Sequence, residues 1–136
     1  MAEPVLIDSN VILDVATESP AWADWSQARL AEIAMDSVLV INPIIYAEVS
    51  VGYARIEELE RALPPALYRR QALPFAAGFL AGKCFLQYRR RGGERRAPPP
   101  DFYIGAHAAI AGYRLLTRDA GRYRGYFPKL DVIAPD

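Results

Sequence analysis

Three short apolar runs, Val5-Leu6-Ile7, Val38-Leu39-Val40-Ile41 and Leu115-Leu116-Thr117, are continuous rather than alternating. That is the pattern of strands covered on both faces. A fourth run, Leu130-Asp131-Val132-Ile133, is stopped by Pro135 and reads as the final strand. Between the runs, apolar residues recur at helical spacing. Ser9 or Asn10 can cap a helix that turns Val11, Ile12 and Val15 inward. Ser19-Pro20 reads as a cap with proline at the first helical position, opening a helix with Trp22, Trp25, Ala28, Leu30 and Ile33 on its apolar side. Asn42-Pro43 repeats that signature, and the helix after it groups Ile44, Ile45, Glu48 and Val49. Arg55 to Leu63 predicts a charged helix, and Leu73-Pro74-Phe75 a short extended piece before a helix from about Ala76 to Arg90. Arg91-Gly92-Gly93-Glu94 ends that helix, and Ala97-Pro98-Pro99-Pro100 is a stiff connection. Asp101 then starts a helix that runs to about Ala111. Strands alternating with helices predict one α/β domain over residues 1–136, a three-layer α/β/α arrangement with a central parallel sheet.

Composition adjusts this picture little. The chain is 52% hydrophobic, enough for a core, and its formal net charge is zero. No global field marks it for nucleic acid or membrane. Charge is uneven, however: Lys83, Arg89, Arg90, Arg91, Arg95 and Arg96 face a single Glu94 in that stretch, and Arg114, Arg118, Arg122, Arg124 and Lys129 cluster later. Cys84 is the only cysteine, which excludes an internal disulfide and a cysteine zinc cluster. The first residues lack a signal-peptide pattern and no apolar run is long enough for a bilayer, so a cytoplasmic protein without membrane contact is expected.

The chemistry lies in four carboxylates. Asp8 ends the first strand, Asp119 follows the strand at Leu115, and Glu48 and Asp101 lie on helices. In an open parallel sheet, the carboxyl ends of the strands form the crevice where ligands bind. Acids gathered there repel by roughly 1 kcal/mol per pair at 4 Å in water and about 4 at an effective dielectric near 20. A divalent cation with oxygen ligands is the simplest way to offset that.

Asp8-Ser9-Asn10 after a strand, Glu48 on a helix, Asp101 in Pro-Asp-Phe-Tyr-Ile-Gly-Ala-His-Ala and Leu-Leu-Thr-Arg-Asp ending at Asp119 together resemble a PIN domain. The likeness is greatest to the VapC-type toxins of toxin–antitoxin pairs, and it covers essentially the whole chain. The resemblance implies a PIN-like fold and an endoribonuclease using Mg²⁺ or Mn²⁺. Asp8 and Asp101 would be the principal metal ligands, with Glu48 and Asp119 completing the catalytic quartet. Asn10, Arg118 and Arg122 would contact the RNA substrate. A cognate antitoxin and a homodimer are further expectations, with Trp22 and Trp25 or the Ile44-Ile45-Tyr46 region as contact surfaces. Phe102, Tyr103 and His107 stand where such toxins often carry small apolar residues.

Other readings attach to the remaining residues. His107 is off the helical face of Asp101 and reads as a packing or surface histidine. Cys84 reads as a small hydrophobe. Arg89-Arg90-Arg91 is either a solvated face or a phosphate grip, and Tyr123 and Tyr126 either stack on unpaired bases or pack within their loop. The alternative function is a catalytically silent PIN-like module that binds protein or RNA. A dinucleotide-binding or phosphate-loop protein is disfavoured by the absence of either glycine motif.

Overall fold

The computed structural model describes residues 3–135, so residues 1, 2 and 136 of the expected domain lie outside the described residues. The strands are β1 (Glu3–Ile7), β2 (Ser37–Ile41), β3 (Tyr68–Arg70), β4 (Arg114–Leu116) and β5 (Val132–Ile133). They form one parallel sheet in the order β3-β2-β1-β4-β5. Central β1 pairs Leu6 with Val40 on one side and with Leu115 on the other. Val5, Leu6, Ile7, Leu115 and Leu116 are fully buried, as continuous apolar strands between two helical layers should be.

The chain steps from β1 outward to β2 and β3, then crosses back to lay β4 and β5 on the opposite side of β1. The strand order therefore reverses between β1 and β4. That reversal leaves a crevice beyond the carboxyl ends of these two strands. The pairing of Ile7 with Leu116 extends by one more bond, from the Asp8 amide to the Leu116 carbonyl at 2.9 Å. Residues 8 and 117 thus enter the crevice side by side.

The helices are α1 (Ser9–Ala16), α2 (Ala23–Asp36), α3 (Pro43–Ser50), α4 (Ile56–Ala62), α5 (Phe75–Arg90), α6 (Pro100–Ala111) and the single turn α7 (Gly121–Arg124). Asn42 caps α3 as its sequence implies, its side-chain oxygen accepting from the Ile45 amide at 2.9 Å, with Pro43 behind it. Gly112 ends α6 at φ +72, a left-handed value that glycine adopts without strain.

Several local expectations are corrected. Neither Ser9 nor Asn10 caps α1; Asp8 takes that position without bonding its side chain to the first turn. Ser19-Pro20 does not begin α2. It forms a preceding turn in which the Ala23 amide donates to the Ser19 carbonyl, and the helix starts at Ala23. β3 is an additional edge strand whose two arginines are exposed, so no apolar run announces it. The final strand is shorter than the run from Leu130, because the Leu130 amide closes a turn onto the Phe127 carbonyl. Of the expected contact residues, Ile45 is fully buried, while Trp22, Trp25, Ile44 and Tyr46 are half-buried. Among the described residues, no helix is long and apolar enough to cross a membrane.

Candidate active site

Asp8 is 3% exposed at the end of β1. Its Oδ2 accepts from the Thr117 hydroxyl at 2.8 Å and from the Tyr123 hydroxyl at 2.7 Å. Its Oδ1 has a single long contact, 3.4 Å from Ser9 Oγ. The one hydroxyl hydrogen of Ser9 is better used on Glu48 Oε1 at 2.8 Å, a distance typical of a strong O–H···O bond. Ser9 thus ties the end of β1 to α3, which delivers Glu48 from its second turn.

Asp101 arrives from the first turn of α6, where Pro100 occupies the first helical position. It shares a cleft of about 480 Å³ with Glu48, Tyr88, Arg95, Pro99, Pro100, Phe102 and Arg122. The acids feel one another. Burial chiefly raises the Glu48 carboxyl above its ordinary 4.5; the charges of Asp8 and Asp101 add to the rise, while Ser9 and Arg122 oppose it. Burial likewise raises Asp8 above 3.8, with Tyr123, Thr117, the Ser9 amide and Arg122 acting against it. The Tyr123 phenol is pushed well above 10 by burial and by the negative charge of Asp8, with Asp101 and Glu48 contributing. Glu48 thus lies within electrostatic reach of both Asp8 and Asp101.

Asp119 is held differently. Its Oδ2 pairs with Arg122 Nε at 2.9 Å across one turn, and the pair is largely solvent-exposed. Its amide donates to Thr117 Oγ1 at 3.1 Å, which fixes the loop that carries it. Asn10 donates to the same hydroxyl oxygen at 3.3 Å and accepts from the Arg118 amide at 3.2 Å. It therefore braces the loop after β4. Arg118 turns its guanidinium to Asp14, 2.8 Å away, and lies over the Trp22 ring. Arg122 is the cation placed beside the acids, joined in the cleft by Arg95.

Ser9, Thr117, Tyr123, Arg95 and Tyr88 belong to this site although their chemistry alone does not single them out. Thr117 had a usable signal, since it follows β4 as Asp8 follows β1. Tyr123 is 1% exposed and cannot offer its ring to a base, so of its two readings packing is the one the fold bears out. Its burial comes from α7, which folds back so that the Phe127 amide donates to the Tyr123 carbonyl at 2.8 Å. Phe127 then presses on α6 at Gly105, where any Cβ would stand 2.4 Å from the ring. His107 is buried away from the acids, its Nδ1 3.0 Å from Asn42 Nδ2. Because Asn42 Oδ1 is already an acceptor, Nδ2 is the donor and His107 Nδ1 the acceptor. Burial lowers the imidazole below 6.5, so it is neutral and links α6 to the cap of α3.

The donor set suits a hard cation. Glu48 Oε2 and both Asp101 oxygens accept no hydrogen bond among the described residues, and Asp8 Oδ1 is nearly free. Among the described residues, no three His, Cys, Asp or Glu side chains stand close enough together to hold an ion by themselves. A hard cation there would need water ligands beside these carboxylates.

The family model described as the PIN domain matches residues 5–127. No curated protein matches the chain by sequence. Among solved structures, the fold is similar to that in the crystal structure of VapBC2 from Rickettsia felis bound to a DNA fragment from their promoter, at 17% identity and TM-score 0.75, covering 98% of this chain and 99% of that one. VapBC-1 from nontypeable Haemophilus influenzae matches at 19% identity and TM-score 0.71, covering 96% and 97%. FitAcB from Neisseria gonorrhoeae matches at 21% identity and TM-score 0.69, covering 95% and 96%. At these identities the likeness is one of fold.

Proposed function

The chain belongs to the PIN domain family, and from that premise we propose that it is a metal-dependent endoribonuclease of the VapC type, the toxin of a toxin–antitoxin pair. The observation that supports this reading is that Glu48, tied through Ser9 to the end of β1 beside Asp8, shares a cleft with Asp101, while buried Asp8 has no ion pair among the described residues. Asp8, Glu48 and Asp101 would hold Mg²⁺ or Mn²⁺, and Asp119, restrained by Arg122, would complete the quartet. When bound, the ion would supply Lewis-acid charge at the phosphate and would make a bound water more acidic than bulk water.

The chain's own groups do the rest. Arg122 and Arg95 line the cleft with the acids and offer charge to a backbone phosphate. The half-buried Tyr88 presents an aromatic wall to an unpaired base. Arg91 over the Tyr126 ring, at 4.7 Å, extends the positive rim. Attack by water rather than by a ribose hydroxyl leaves 5′-phosphate and 3′-hydroxyl ends. The neighbours captured as VapBC and FitAcB complexes favour an antitoxin partner for this chain too. The exposed Phe75 and Phe79 of α5 offer an apolar surface for a homodimer.

The test is incubation of purified protein with RNA and Mg²⁺ or Mn²⁺, followed by mapping of the ends. Cleavage that stops with EDTA and in Asp101→Asn, leaving 5′-phosphates, is expected. Full cleavage by that variant would refute the assignment.

A further inference from the structure

Asp8 has two oxygens with unequal duties. A carboxylate oxygen offers two lone-pair directions, and those of Oδ2 are taken by the Thr117 and Tyr123 hydroxyls at 2.8 and 2.7 Å. Oδ1 accepts no short side-chain hydrogen bond: Ser9 Oγ stands 3.4 Å away and its hydrogen goes to Glu48. The two donors are themselves fixed. Thr117 is fully buried and accepts from Asn10 and from the Asp119 amide, while the Tyr123 ring is locked in the core by α7. Neither hydroxyl can swing aside without loss of packing.

This asymmetry bears on which cation Asp8 accepts. Ca²⁺ takes six to eight oxygens and often binds carboxylates through both, whereas Mg²⁺ demands near-octahedral single-oxygen contacts at about 2.0–2.1 Å. We infer that the Tyr123 and Thr117 hydroxyls form an ion-selectivity device, saturating Asp8 Oδ2 so that Asp8 is a one-oxygen ligand suited to Mg²⁺ or Mn²⁺ and poorly suited to Ca²⁺. Tyr123 is thus a positioning residue that acts through Asp8. The inference rests on the proposed metal site and adds to it a reason for the choice of ion.

Calorimetric titration of the full chain with MgCl₂ and with CaCl₂ tests it without any substrate. Wild type is expected to prefer Mg²⁺ and Asp8→Asn to bind neither ion tightly. Tyr123→Phe, which keeps the ring, should raise the ratio of Ca²⁺ to Mg²⁺ affinity about tenfold, the lower end of what outer partners of metal ligands contribute. Thr117→Val, close in shape, should move the ratio the same way and provides the test if the first variant unfolds. An unchanged ratio in the folded variants, with Mg²⁺ binding still lost in Asp8→Asn, would overturn this inference and leave the metal site standing. Failure of wild type to bind Mg²⁺ at all would overturn the functional reading and the inference together, and collapse of both variants would reduce the hydroxyls to structural bonds.

Discussion

Asp8 and Asp14 lie six residues apart on β1–α1, are 3% and 4% exposed, and are treated in opposite ways by their surroundings. Asp14 has a cation: Arg118 Nε stands 2.8 Å from its Oδ2, and the fully buried Ser26 hydroxyl donates to the same oxygen at 2.9 Å. Asp8 has neutral donors, and its carboxyl is raised above the ordinary value because burial outweighs them. A buried charge must be paired or must bind a metal if it is to remain charged. Asp14 is paired, so it is architecture, joining α1 to α2 and to the loop after β4. Asp8 is left short of positive charge at the mouth of a crevice. The contrast teaches that burial alone does not mark a functional acid; burial without a matching cation does.

The largest effects should separate the two acids by activity. Asp8→Asn is expected to abolish cleavage, whereas the Asp14 region should register mainly in stability. The same variant carries a pH signature. With the folded-state carboxyl raised above 3.8, the folded chain retains a proton that the unfolded chain releases. The contribution of Asp8 to ion-free stability is therefore fully present below 3.8 and is lost as pH rises through the raised value. Glu48, raised above 4.5, works in the same direction. Thermal melts without divalent ions should show Asp8→Asn gaining on wild type as pH climbs out of the acid range; a gap independent of pH would break the comparison.

On the other side, Arg118→Ala leaves Asp14 buried without its cation. Breaking a buried pair costs about 3–5 kcal/mol, and the 33% exposure of the Arg118 side chain puts this pair near or below the lower figure. Urea denaturation would show it as a lower midpoint at unchanged slope. A smaller step in the same place is Ser26→Ala, which deletes one donor to a charged acceptor for about 1.5 kcal/mol. Cleavage by Ser26→Ala should match wild type when assayed below its melting transition, and a large loss would mean that Asp14 serves the site after all.

The architecture was largely legible because β1, β2 and β4 are uninterrupted apolar runs, a pattern that in an α/β chain has one good solution. The three proposed acids stand out for the same reason: residue 8 ends a strand, and Glu48 sits on an apolar helix face where a charge is anomalous. What escaped depends on contacts made across the chain. Tyr123 lies between Arg122 and Arg124, and nothing near it in the chain tells that α7 folds its hydroxyl against Asp8, 115 positions away. Arg118 looks like a substrate ligand until Asp14 is found 104 positions away. β3 escaped because an edge strand of one tyrosine and two arginines buries a single side chain.

The most direct test of the metal-site claim is an anomalous-difference map from crystals grown with Mn²⁺. A peak about 2.1 Å from Asp8 Oδ1, also ligated by Asp101 or Glu48, with none at Asp14, is the predicted result. No peak in the acidic crevice at saturating Mn²⁺, or a peak bound elsewhere while RNA cleavage persists, would contradict it.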